Sequence, residues 1–95
     1  MACYVIAHVT VNNPEGYKAY TVETPGSIAA YGGKFIVRGG NSTQMEGQMP
    51  GERHVVIEFP DRATAERWYN SPEYQKLIPI RQANSTGALT IVDGA

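Results

Sequence analysis

The chain has 95 residues, and eight Lys and Arg against nine Asp and Glu leave a net charge of −1. That length supports one hydrophobic core, so a single domain over 1–95 is expected, and that balance argues against a nucleic-acid or polybasic membrane surface. At 42% hydrophobic and 18% charged it reads as globular; no membrane span or secretory leader is expected, and the lone Cys3 excludes an internal disulfide or a Cys-rich zinc site, so a cytoplasmic location is expected.

Residues 3–11, CYVIAHVTV, are rich in β-branched side chains and predict a strand. Val5, Ala7, Val9 and Val11 share an apolar face; Tyr4, Ile6, His8 and Thr10 share a mixed one. Asn13-Pro14-Glu15 then reads as a helix start, with a capping side chain, a proline at the first helical position and an acid at the positive end of the helix dipole. Tyr17, Tyr20 and Val22 can lie on one side of this helix. Pro25 is expected to interrupt it, with a second helical piece carrying Ile28, Ala29 and Tyr31 up to Gly32-Gly33.

Residues 34–38 predict a short strand, with Phe35 and Val37 on one face and Ile36 and Arg38 on the other. The stretch GGNSTQMEGQMPGE (39–52) is a long polar connection with a short extended piece around 43–46. Residues 53–59 form the clearest strand: Val55, Ile57 and Phe59 oppose His54, Val56 and Glu58. Asp61 caps a helix whose Ala65, Trp68 and Tyr69 fall at i, i+3, i+4. Ser71-Pro72-Glu73 starts another helix, which Pro79 should break or kink, and a last strand covers about 88–92.

The order β-α-β-β-α-β predicts an α+β, ferredoxin-like domain with both helices on one face of a four-stranded antiparallel sheet. The wholly apolar strand faces should meet the helices. The mixed face, with Tyr4, Ile6, His8, Arg38, His54, Val56 and Glu58, then suits a second copy of the chain, giving a homodimer through the sheet. A monomer with a partly apolar solvent face is the alternative.

YGGKFIVRGG (31–40), MEG (45–47), ERHVVIEFPD (52–61), RWYNSPEYQ (67–75) and IRQAN (80–84), in this order, resemble the DUF1330 family of small bacterial proteins. That resemblance spans nearly the whole chain and implies a dimeric α/β barrel of ferredoxin-like protomers. It leaves activity open, because the wider superfamily holds cofactor-free monooxygenases, haem enzymes, isomerases and proteins without known activity.

The candidate ligand-binding residues follow from the mixed face. His8, Arg38, His54 and Glu58 fall on neighbouring strands there, where Arg clamps a carboxylate or pairs with Glu, and a His beside a carboxylate serves as a general base. The competing reading is an ion-pair network at a dimer interface. Glu46 and Arg53, both within the family's pattern, are expected to meet across the sheet edge, or Glu46 is simply solvated. Tyr69 and Tyr74 line an apolar pocket or belong to the core, as Trp68 does; Arg81 caps a helix or approaches that pocket. No metal is expected, since His8 and His54 lack ligand spacing, and no cofactor motif is present. Two functions remain: a homodimeric protein that binds a small organic acid or acts on it without a cofactor, and a non-catalytic structural dimer.

Overall fold

The computed structural model describes all 95 residues. Strand β1 is Cys3–Val11, α1 Pro14–Ala30, β2 Lys34–Arg38, β3 Arg53–Phe59, α2 Arg62–Tyr69, α3 Pro72–Gln75, α4 Ile78–Asn84 and β4 Ser85–Asp93. The sheet order is β2-β3-β1-β4, with every neighbouring pair antiparallel. This is the ferredoxin-like arrangement, with the helices covering one face.

Alternation along β1 and β3 runs as the residue types dictate. Cys3, Val5, Ala7, Val9, Val55, Ile57 and Phe59 are buried beneath the helices. Trp68 of α2 packs its ring 5.4 Å from that of Phe59 and 4.1 Å from that of Tyr74, and none of these three side chains reaches solvent. The indole Nε1–H donates to Ser27 Oγ at 3.1 Å, so the largest core side chain carries no orphaned donor. Cys3 is a buried thiol at the sheet's end of this core.

Five expectations are corrected. Pro25 does not divide the first helix; α1 is continuous, with Pro25 inside it. Tyr20, Thr24, Ser27 and Ile28 are buried on either side of Pro25, and the Thr24 and Ser27 hydroxyls donate to the carbonyls of Tyr20 and Thr24, so packing outweighs the one donor that proline lacks. Pro79 breaks nothing either: α3 already ends at Gln75, and Pro79 sits in the first turn of a separate helix, α4, where its missing N–H is harmless. No strand forms at 43–46, and β4 is longer than expected, starting at Ser85.

The fifth correction concerns β2. Phe35 pairs with Ile57, Val37 with Val56 and Arg38 with Val55, so the register shifts at Ile36. One extra residue in β2 makes a β-bulge, and everything after it changes face. Val37 stands over Val56 on the open face and is 42% exposed, while Arg38 turns to the helix side with Val55. The simple alternation read from KFIVR holds for Phe35 and fails for Val37 and Arg38.

Candidate functional site

Because of the bulge, Arg38 does not join Glu58 or the histidines. It lies at the mouth of a cavity between the sheet and the helices, with its guanidinium carbon 4.4 Å from the centre of the Phe35 ring. Arg53 has the parity of Val55 and also points to the helix side. Its guanidinium packs against Gly39, a residue at φ +66°, where a Cβ would collide with it. Arg81 enters from the last turn of α4. Tyr17, Tyr20 and Thr24 of α1, Trp68 of α2 and Leu89 of β4 complete the wall.

No Asp or Glu lines this cavity. None of the four ion pairs in the structure involves Arg38, Arg53 or Arg81. The Nε–H groups of Arg53 and Arg81 are buried without an acceptor. An unsatisfied buried donor costs about 1–3 kcal/mol, and native structures keep few of them. Both arginines line the same apolar, aromatic-walled hollow. The unfilled space is about 500 Å³ including the mouth, and water-sized molecules can centre themselves in about 40 Å³ of it.

Burial pushes the hydroxyl pKa of Tyr17 up, against the pull of the Arg53 and Arg81 charges. Tyr20 and Tyr74 are also raised, chiefly by burial. All three stay protonated and act as neutral hydrogen-bond donors at ordinary pH. Tyr74 is fully buried behind Tyr20, its hydroxyl 2.7 Å from the Tyr20 hydroxyl, and does not itself reach the cavity wall. Tyr69 is half-buried and stacks at 5.6 Å on Tyr74, again outside the cavity.

The remaining expected site residues lie elsewhere. His8 and His54 face each other across β1 and β3 on the open side of the sheet, with their Nδ1 atoms 2.9 Å apart, so one ring donates and the other accepts. No third potential ligand joins them in a metal-sized cluster. Glu58, also on the open face, pairs with Lys34 at 3.3 Å and accepts from the Tyr4 hydroxyl at 3.3 Å. Glu46 is exposed in the long loop and makes no ion pair with Arg53. The expected cluster of four thus divides, Arg38 on one face and the other three on the reverse. Tyr17 and Tyr20, seen in the sequence only as a helix face, are the cavity residues that reasoning missed; their i, i+3 spacing towards the sheet was the available signal.

The model of a domain of unknown function, DUF1330, matches residues 2–95. The chain belongs to the DUF1330 family. No functionally curated protein matches it. Among solved structures, a protein of unknown function from Rhodopseudomonas palustris, RPA0582, is similar at 18% identity and TM-score 0.81, over 99% of this chain and 82% of the other. SnoaB, a cofactor-independent oxygenase from Streptomyces nogalater, is similar at 14% identity and TM-score 0.67, over 99% and 93%. An antibiotic biosynthesis monooxygenase is similar at 15% identity and TM-score 0.58, over 100% and 99%. At these identities the DUF1330 chain and its neighbours share a fold. No helix is long and apolar enough to cross a membrane.

Uncompensated positive charge has a measurable consequence. Arg81→Met keeps the aliphatic stem and removes one of three mutually repelling guanidiniums, so the ligand-free variant should unfold at the same temperature as the native protein or higher. Sulfate should raise the unfolding temperature of the native protein more than that of the variant. A variant that is less stable in the same buffer contradicts the reading of these arginines as unpaired.

Proposed function

We propose that this protein binds a small organic acid in the cavity between its sheet and helices, and that it works as a homodimer paired through the open sheet face. The observation that carries the first part is the set of three arginines around an aromatic-walled hollow that holds no carboxylate. Arg53 and Arg81 grip the carboxylate, since both bring unused Nε–H donors and both act on the Tyr17 hydroxyl. Arg38, exposed at the mouth on Phe35, draws the anion in and closes over its outer end. The apolar remainder of the ligand lies against Trp68, Phe35 and Leu89.

Cofactor-independent turnover of that acid is the enzymatic form of this proposal. The likeness to SnoaB, a cofactor-independent oxygenase, lends the fold-level support. The chain's own contribution is electrostatic: guanidiniums and neutral tyrosine hydroxyls stabilise negative charge that develops on a bound anion.

A non-catalytic structural dimer is the second reading, favoured by the reverse side of the sheet. Val37 and Val92 there are 42% and 40% exposed, and Ile6 and Val56 are half-buried between them and the His8–His54 pair. A mixed apolar and polar face of this kind suits a self-complementary contact. Dimerisation alone leaves the three arginines without a role.

Titration calorimetry with benzoate tests ligand binding. Native protein should bind it, and Arg53→Ala should weaken binding at least tenfold, the loss expected for one charge-assisted contact of about 1.5–3 kcal/mol. Unchanged affinity in the folded variant removes Arg53 from the site. Sedimentation equilibrium tests the assembly: native protein should be dimeric and Val56→Glu monomeric, and a monomeric native protein refutes the pairing.

A further inference from the structure

The acid site makes no use of the His8–His54 pair on the open side of the sheet. The two Nδ1 atoms lie 2.9 Å apart and the ring centroids 5.0 Å apart, so an Nδ1–H of one ring meets the Nδ1 lone pair of the other. This contact needs one proton between the two nitrogens. Two neutral rings supply it, and so do one neutral and one protonated ring. Two imidazoliums carry a proton on both Nδ1 atoms, which sets donor against donor and like charge against like charge. The second positive charge therefore breaks the contact, whichever ring is the donor.

The groups around the pair add no net charge on the strands. On β1 and β3 the open face carries Tyr4 and Glu58, joined by a hydrogen bond, and Lys34 of β2 pairs with Glu58. On β4, Ala88 stands opposite His8, with Thr86 and Thr90 to either side on the same face. From the connection before β3, Glu52 is the one charged residue in the hollow that His54 also lines. That hollow gives the His54 ring room to swing away from His8. A two-fold contact sets a patch near its own copy, so a charge-balanced patch is tolerated and a patch of one sign is not. Ile6 and Val56, one position along the same face from the histidines, supply the apolar part. Two imidazoliums from each copy, enclosed in that contact without enough acids to answer them, oppose it.

From the single proton that the His8–His54 contact requires, we infer that self-association through this face is controlled by pH: copies pair while the two rings are bonded to each other, and separate when each ring carries its own charge. The inference rests on the homodimer reading above and adds its regulation. The separated protomer holds more protons than the paired one, so acid favours separation and neutral pH favours pairing.

Sedimentation equilibrium of the native protein near pH 7.5 and near pH 5.5, with nitrogen NMR of the imidazole rings under both conditions, tests it; free imidazoles titrate between about these values and carboxylates as a class below them. The dimer dissociation constant should rise about a hundredfold in acid, the linkage for roughly one proton taken up per protomer in the ordinary imidazole range. Both Nδ1 atoms should then be protonated, whereas at the higher pH one is bare. The chain has two histidines, so the spectra report this pair and no other. A dimer equally tight under both conditions overturns the inference and leaves the homodimer standing. Dissociation in acid while one Nδ1 stays bare also overturns it. If the protein is monomeric under both conditions, the homodimer and this inference fall together.

Discussion

One inserted residue governs the chemistry of this fold. Strand β2 pairs in step with β3 as far as Phe35, gains Ile36 as a bulge, and resumes with its faces exchanged. Without that shift Arg38 would lie on the open side of the sheet, and two arginines rather than three would surround the cavity. The shift also moves Val37 onto the open side over Val56, adding apolar area there. Both faces of the sheet acquire their distinctive character from the same local departure from alternation.

The cavity arginines set a conflict between stability and binding. The core around Trp68, Phe59, Tyr74 and Leu77 is fully buried and has its indole N–H satisfied. A few ångströms nearer the mouth, buried guanidinium nitrogens go unpaired and no carboxylate answers three positive charges. Four of the nine acids form ion pairs elsewhere: Glu58 with Lys34, Asp93 and Glu66 with Arg62, Glu23 with Lys76. These outer pairs are largely solvent-exposed and worth little individually. The paired carboxylates thus lie at the surface, and none lines the cavity that holds the three arginines.

Most of the architecture was legible in the residue pattern. Strands β1 and β3 alternate without interruption, so the buried set Val5, Ala7, Val9, Val55, Ile57 and Phe59 follows directly from parity. Asn13, Asp61 and Ser71 each cap the helix expected of them, with side-chain oxygens accepting from Gly16, Thr64 and Tyr74 amides. The two proline readings failed because a proline's local effect depends on what surrounds it: buried neighbours hold α1 through Pro25, and an earlier helix end makes Pro79 a beginning. The bulge was illegible for a different reason. KFIVR alternates acceptably in either register, and only pairing with the regular β3 decides which residue is extra. The site inherited that error: Arg38 was assigned to the face of His8, His54 and Glu58, whereas its partners are Arg53 and Arg81, brought together from β3 and α4, elements 28 residues apart in the chain by the difference between positions 53 and 81.

The central claim is that the helix-side hollow, and not the histidine-bearing sheet face, receives an anion. A crystal structure of the protein soaked in benzoate tests it most directly. The account predicts the carboxylate within hydrogen-bond distance of the Arg53 and Arg81 guanidiniums, with the ring against Trp68 and Phe35. Benzoate bound instead beside His8 and His54, with the arginine cavity holding only water, would contradict it.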